Sequence, residues 1–168
     1  MKIKIQGICD LHAGQLNVDD YIPFTFQAYR GILPNPYLWL IGTQVSLLEL
    51  TIEAESKAVL GVTLTLYKKE VREHISSEYD AVEMVPGVPV VCVEGFGNRR
   101  HEDECELTLF REGNRFVVVF NNSIVPTRCL RVDRVGFYSG EGELCGVGFF
   151  DITGHEIERL IPHFQRLG

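Results

Sequence analysis

The chain has 168 residues, 45% of them hydrophobic and 23% charged, proportions typical of an ordinary globular domain and not of a disordered chain. Its formal net charge is −7 and its pI is about 5.2, which disfavours nucleic-acid binding because such domains are usually basic. No apolar run approaches the roughly 20 residues of a membrane helix, and the N-terminus has no signal-peptide pattern; we therefore expect one cytoplasmic domain over residues 1–168, with no membrane contact.

Alternating apolar and polar residues predict β-strands in the first part of the chain. The alternation covers residues 1–9 and 21–29, and the short apolar run 37–41 is typical of a buried strand. The clearest unit is 47–67, in which two alternating runs flank the polar residues 53–57. This pattern predicts two strands joined as a hairpin.

Residues 68–85 show a different period. Val71, Ile75, Tyr79 and Val82 recur at spacings of four, four and three, which is one stripe of an amphipathic helix. The prolines that follow would bar a longer helix. The spacing predicts one helix in the middle of the chain.

Strand patterns resume after this stretch, and the Glu-Gly-Asn turn at 112–114 predicts a second hairpin. A further hairpin turn is expected at 139–143. The predicted strands of this part are 88–94, 105–111, 115–120, 129–138 and 144–151.

The C-terminal residues predict a second helix. Thr153 and Glu156 have capping-box spacing, and the apolar positions 157, 160, 161 and 164 follow at helical intervals. Pro162 interrupts this pattern, so the helix should be short or kinked. Together these patterns predict a mainly β (α+β) fold: antiparallel sheets as a sandwich or half-open barrel, with a C-terminal helix and the middle helix.

The acidic excess lies in the middle of the chain. Residues 49–106 carry 13 acidic and 6 basic side chains, whereas 1–48 carry three of each and 107–168 carry seven of each. Such a segment suits a basic partner, because opposite charge speeds association and disfavours wrong partners. The alternative is a solvated acidic surface that only promotes solubility.

The densest polar cluster is 95–105, with the sequence GFGNRRHEDEC. A metal- or thiol-dependent enzyme centred on His101 and Cys105 is one hypothesis, because thiolate catalysis needs a nearby base. Neighbouring residues of an extended chain point to opposite faces, however, so metal ligands would have to come from elsewhere. The pattern favours a flexible, charged loop between two strands.

The five cysteines have no CxxC spacing, which is unlike a zinc ribbon or a thioredoxin-like site. Cys92, Cys129 and Cys145 lie among apolar residues and are expected to be small buried hydrophobes. Six aromatic residues between Tyr21 and Trp39 could line a ligand pocket, or could fill the core between strands.

The segment 38–66 is similar to a pattern in small bacterial proteins encoded beside polymorphic or contact-dependent toxins. In that pattern a hairpin of the form LLEL-I…GVTL follows a Trp-containing strand; here Ser56-Lys57 stands where a turn glycine is common. The resemblance spans about 30 residues. It implies a β domain of the immunity-protein type that has no enzymatic activity and blocks the active site or substrate surface of a cognate toxin. Binding residues vary in such proteins, so none is carried over.

Toxins of such systems are often nucleases with basic substrate surfaces, as the resemblance implies, and an acidic inhibitor would associate with them quickly. We therefore predict a non-enzymatic immunity protein without a cofactor, whose partner is a basic protein such as a toxin nuclease domain. A small-ligand-binding β domain and the metal- or thiol-dependent enzyme are the alternatives. The candidate contact residues, chosen by charge density, are Glu70, Glu73, Glu78, Asp80, Glu83, Glu102, Asp103 and Glu104.

Overall fold

The computed structural model of the protein describes residues 2–164. Half of this described part is in β-strands and 8% is helical, which confirms the mainly β prediction. The strands of the described part are β1 (Ile5–Cys9), β2 (Gln15–Val18), β3 (Phe24–Gln27), β4 (Tyr37–Gly42), β5 (Ser46–Ile52), β6 (Val59–Leu66), β7 (Val71–Arg72), β8 (Glu83–Pro86), β9 (Val88–Val91), β10 (Arg100–Glu104), β11 (Thr108–Glu112), β12 (Arg115–Val119), β13 (Arg128–Val132), β14 (Val135–Gly140) and β15 (Glu143–Phe149).

Two large sheets form the layers of a sandwich. The first has the strand order β10-β4-β5-β6-β3-β2, and the second has the order β7-β11-β12-β15-β14-β13-β8. Most neighbours are antiparallel, as predicted, but β10, β7 and β8 each run parallel to the strand beside them. A third sheet, β1 with β9, joins the layers at one side: Ala58 pairs with Val90, and Ile5 N–H donates to Gly142 O at 2.8 Å.

The core lies between the two large sheets, because alternate side chains of each strand point to it. In β5, every second residue is buried, and the intervening residues are half-buried on the outer face. Phe24 of the first sheet stacks on Phe149 of the second, with 4.2 Å between ring centroids, and lies 5.6 Å from Phe116. The period-two patterns of the sequence therefore mark which face of each strand is inside.

The three predicted hairpins are present as β5–β6, β11–β12 and β14–β15. The last closes through Glu141 and Gly142, both with positive φ (55° and 75°). A two-residue turn of this kind matches the right-handed twist of the strands it joins. In the first hairpin, Lys57 takes the positive φ of 62° where the related pattern often has glycine.

The predicted helix over 68–85 is wrong. The segment contains β7, one 3-10 turn at Ser77–Tyr79, and β8. β7 and β8 lie at opposite edges of the second sheet, and residues 73–82 cross its outer face between them; we call these residues the strap. Six strand spacings of about 4.8 Å make this sheet about 29 Å wide. The 11 steps from Arg72 to Glu83 would span only about 16 Å as a helix but about 36 Å extended.

The apolar stripe of the strap is nevertheless buried as its spacing predicted. Tyr79 is 6% exposed and packs edge-on against Tyr138, with ring centroids 4.9 Å apart. Ile75 and Val82 are half-buried on the same cluster, which covers the outer face of the second sheet. The spacing of the apolar residues alone therefore did not distinguish a helix from an irregular segment that crosses the sheet.

The predicted loop at 95–105 is also wrong over its second half. Residues 100–104 form β10, which pairs in parallel with β4, and β2 is a strand that the sequence patterns did not indicate. β10 carries only polar side chains, which is common for an exposed edge strand. Its pairing partner lies about 60 residues earlier, so no local pattern indicated it.

The C-terminal helix α1 (Gly154–Leu160) begins with the predicted capping box. Glu156 N–H donates to Thr153 Oγ1 at 3.1 Å, and Thr153 N–H donates to Glu156 Oε1 at 3.0 Å. Burial acts to raise the pKa of Glu156, but hydrogen bonds from Arg134 and Thr153 outweigh it and lower that pKa.

Leu160 of α1 is fully buried in the inter-sheet core, so the helix packs on the sandwich as expected. The helix then tightens into a 3-10 turn at Ile161–His163, which contains Pro162. Ile161 is consequently 47% exposed and does not continue the predicted stripe. None of the helical segments in residues 2–164 has the length and apolar character that crossing a bilayer requires.

Candidate functional site

The eight predicted contact residues do not form one patch. Glu102, Asp103 and Glu104 lie in β10 at the edge of the first sheet. Glu70 precedes β7, and Glu83 begins β8 at the opposite edge of the second sheet. The remaining three, Glu73, Glu78 and Asp80, lie in the strap or at its 3-10 turn.

Two of the strap carboxylates have partners within the chain. Asp80 Oδ1 lies 2.9 Å from Arg115 Nη2, and the arginine side chain is only 15% exposed. Glu78 Oε2 accepts a hydrogen bond of 3.3 Å from Ser76 Oγ, the cap of the 3-10 turn. Asp80 thus ties the strap to β12 of the second sheet, whereas Glu78 stabilises the 3-10 turn within the strap; both roles are structural.

A group of buried titratable side chains lies beneath the strap. Burial raises the pKa of Tyr138 and of Cys129 to about 12 each, and the pKa of Cys145 to about 11. Burial, followed by the neighbouring Cys145 thiol, also raises the pKa of Tyr79. These phenols and thiols are neutral at physiological pH. Both cysteines are buried as the sequence predicted, whereas Cys92, which was also expected to be buried, is half-buried.

β10 divides its side chains between two faces of the first sheet. Its register places Glu102 opposite Leu40 and Glu104 opposite Gly42, with Arg100 on the same outer face. Glu102 and Glu104 are exposed, and Arg100 Nη2 lies 2.9 Å from Glu102 Oε1. This outer side of β10 is therefore a solvated row of charged residues at the end of a sheet.

The inner side of β10 holds the strand in place. The indole N–H of Trp39, a residue only 4% exposed, donates to Asp103 Oδ2 at 2.5 Å. His101 Nε2 lies 3.4 Å from the same carboxylate oxygen, and the His101 ring stacks on Phe96. Asp103, a predicted contact residue, thus has its carboxylate engaged within the fold and its side chain 19% exposed.

Backbone hydrogen bonds show which groups of β10 face β4. Leu38 N–H donates to Arg99 O at 2.8 Å, and Cys105 N–H donates to Gly42 O at 3.3 Å. In a parallel ladder, alternate residues direct both their N–H and C=O groups to the same neighbouring strand. The odd-numbered residues of this segment therefore face β4, and Glu102 and Glu104 direct their backbone groups to the open edge.

An open cleft of about 680 Å³ lies beside the outer face of β10. Its walls include Leu40 and Leu47, the exposed Val45, and the acidic residues of β10. Val45 lies in the loop 43–45 between β4 and β5. Tyr67, which is 65% exposed, is held next to this loop because its N–H donates to Val45 O at 2.8 Å. The site therefore has exposed apolar side chains beside a charged border, and protein interfaces likewise have an apolar centre and a polar rim.

The surroundings of Cys105 do not activate its thiol, as an enzyme centred on His101 and Cys105 would require. Burial, followed by the negative charge of Asp103, raises the pKa of Cys105, so less of it is thiolate at neutral pH. Within the described part of the chain, no group of three or more His, Cys, Asp or Glu side chains is arranged to hold a metal ion.

The aromatic residues of the ligand-pocket hypothesis are dispersed. Phe24 and Phe26 are buried in the inter-sheet core, whereas Tyr21 is 89% exposed in the loop before β3. Trp39 packs edge-on against Phe96, with ring centroids 5.0 Å apart. These side chains fill the core or lie apart on the surface, and they do not share one cavity.

Sequence reasoning selected Glu102 and Glu104 by charge, but it did not indicate that they lie on an edge strand that borders a cleft. Leu40 and Tyr67 carried no signal as site residues because each belongs to a pattern of ordinary strands, and Val45 is a single apolar residue between two such patterns. Comparison of the chain with protein-family models finds no match, and comparison with curated proteins finds no match either.

Proposed function

We propose that the chain is a non-enzymatic protein-binding module that inhibits a basic partner protein, and that it belongs functionally with the immunity proteins of bacterial toxin systems. The observation that carries this proposal is the exposed edge strand β10, whose Glu102 and Glu104 border the open cleft. The segment 38–66, on which the resemblance rests, forms the three adjacent strands β4, β5 and β6 that support β10.

The charge of this edge suits a basic surface. Within residues 2–164, Glu104 forms no salt bridge, and Glu102 has only the exposed partner Arg100. An ion pair between exposed side chains contributes roughly 0–1 kcal/mol to stability, so a partner cation can replace Arg100 at little cost. Opposite charge across an interface mainly accelerates association and selects the partner.

Such a partner is chemically a protein with a lysine- or arginine-rich surface, and a nuclease domain is one example because its substrate is a polyanion. By covering that surface, the acidic edge would exclude the substrate without any chemistry of its own. The neutral, buried thiols and phenols beneath the strap agree with a binding role, since they are not activated as nucleophiles.

An affinity pull-down of the tagged, full-length chain from its source cells tests the proposal. One basic protein should be retained at low ionic strength and released at high ionic strength, because salt screens charges at the rim of an interface. The double variant E102K/E104K should slow association at least about tenfold, since steering by charge changes association rates over this range.

The matched control is E55K/E158K, which changes the net charge equally at exposed positions away from β10. If the control slows association as much as E102K/E104K, only net charge matters and β10 is not the contact. If no basic protein is retained at low salt, the proposed function is wrong.

A further inference from the structure

We propose that the partner docks by adding one of its own extended segments to the open edge of β10, with basic side chains at alternate positions. This inference rests on the proposed function, but it states a binding mode that charge complementarity alone does not require. In such a complex, backbone hydrogen bonds supply much of the contact, and alternate side chains select the segment.

The backbone of β10 is prepared for this pairing. Arg100 N–H already donates to Gly97 O at 2.9 Å, whereas the alternation of the ladder directs the N–H and C=O groups of Glu102 and Glu104 outward. Within residues 2–164, no strand pairs with this side of β10. The inner side is held by the Trp39–Asp103 hydrogen bond, so the edge is presented by a fixed strand.

The other sheet edges are less suited to accept a strand. β7 has two residues, and β8 has four and ends in Pro86, which lacks an N–H. β2 also has four residues and lies next to α1. β10 is the longest edge strand of the two large sheets in the described part and contains no proline.

Charge on β10 decides which strand can pair. If two copies of the chain paired antiparallel about Glu102, the two Glu102 side chains would face each other, and like charges directly opposite are destabilising. Each Arg100 would come opposite Glu104 of the other copy, but the Arg100 N–H is already bonded to Gly97 O, so the edge beside Arg100 is not open to a pairing strand. A strand with lysine or arginine on that face would instead lie opposite Glu102 and Glu104. The basic side chains of such a strand would lie beside Glu102 and Glu104, at the border of the cleft. The occupant we infer is therefore a basic strand of another protein and not a second copy.

Synthetic peptides test the binding mode without prior identification of the partner. The probe is acetyl-TKTKTKT-amide, titrated into the full-length chain by fluorescence anisotropy or calorimetry at low salt. Two analogues carry N-methyl groups either on every lysine or on every inner threonine, so the charge is the same in all three peptides. Since only alternate peptide amides can face β10, one analogue should bind at least about tenfold more weakly and the other should bind like the parent.

Two variants test the same point on the protein side. Glu102→Pro removes the outward N–H but no bond to β4, and proline is tolerated at such edge positions. Glu102→Gln removes the charge alone and should lower the affinity for the parent peptide about 1.5- to 5-fold. Glu102→Pro should lower this affinity clearly further than Glu102→Gln does. The fluorescence of Trp39 and the melting temperature of the variant show whether the strand is still folded.

The inference is overturned if both N-methylated peptides bind like the parent, or if the Pro and Gln variants bind the parent equally. It is also overturned if the parent peptide does not bind. These outcomes leave the pull-down result unaffected, so a partner held by side-chain charge alone would still support the proposed function. If Glu102→Pro fails to fold, the peptide comparison decides by itself.

Discussion

Replacing Tyr79 with alanine should loosen the strap and destabilise the whole fold. Tyr79 is 6% exposed and is the one fully enclosed residue of the strap, where it packs on Tyr138. An aromatic side chain buries roughly 150–250 Å², which at about 25 cal/mol per Å² corresponds to roughly 4–6 kcal/mol as an upper limit. Because the strap is a surface segment that can settle into the space left behind, we expect a loss of about 3 kcal/mol.

Urea unfolding, followed through the single tryptophan, Trp39, measures this change. Trp39 lies in the first sheet, so its signal reports global unfolding and not local motion of the strap. Thiol labelling of native protein supplies the local readout: Cys129 and Cys145 lie beneath the strap and should react in the Tyr79→Ala variant at a denaturant concentration that leaves the wild type unreactive.

Tyr79→Phe is the matched control, because it keeps the ring and removes only the hydroxyl that lies near Cys145. A loss of about 0.5–1.5 kcal/mol is expected for that variant. The reasoning is refuted if Tyr79→Ala costs less than about 1 kcal/mol, or if the two cysteines stay as protected as in the wild type; the strap would then contribute little to the fold.

Three further predictions concern single groups. Glu156→Gln should lower stability by roughly 0.3–1 kcal/mol at neutral pH, because it removes a negative charge at the N-terminus of α1. The folded pKa of Glu156 is lowered from 4.5, so the difference should persist above pH 4.5 and vanish as the pH falls through the lowered value; urea unfolding over a pH series measures it. Asp103→Ala should lower the free energy of unfolding by about 1–3 kcal/mol, because it leaves the buried N–H of Trp39 without an acceptor. Asp103→Asn keeps an acceptor and should lower it by less than about 1 kcal/mol in the same assay. Burial raises the folded pKa of Tyr138 from 10.0 to about 12, so its contribution to stability should be complete below pH 10 and decline towards pH 12. Tyr138→Phe should remove that part of the loss of stability at alkaline pH. An unchanged dependence of the free energy of unfolding on pH between 10 and 12 would contradict this prediction.

Local patterns predicted three of the hairpins, because period-two alternation and turn residues act within a few residues of each other. The prediction of one strand over 129–138 is wrong, because the chain turns back after Val132 and forms the antiparallel strands β13 and β14. The strands of the 47–67 unit and the capping box of Thr153 are present as expected. Charge counting placed Glu102 and Glu104 among the contact candidates, and both are exposed on the edge that we propose as the contact. It also selected Asp80 and Asp103, whose carboxylates already bind Arg115 and Trp39 of the same chain.

The sequence by itself determined the mainly β class, the inward faces of the strands, three of the hairpins and the capped C-terminal helix. Each of these depends on neighbouring residues and on simple burial. Tertiary structure alone decided that residues 73–82 form an extended strap and that 100–104 form an edge strand. The strap must cross a sheet about 29 Å wide, which a helix of its length cannot span. β10 owes its conformation to a parallel partner about 60 residues earlier in the chain. The residues of β10 themselves show no pattern that indicates so distant a partner, and for that reason the open edge of β10 became visible only in the folded protein.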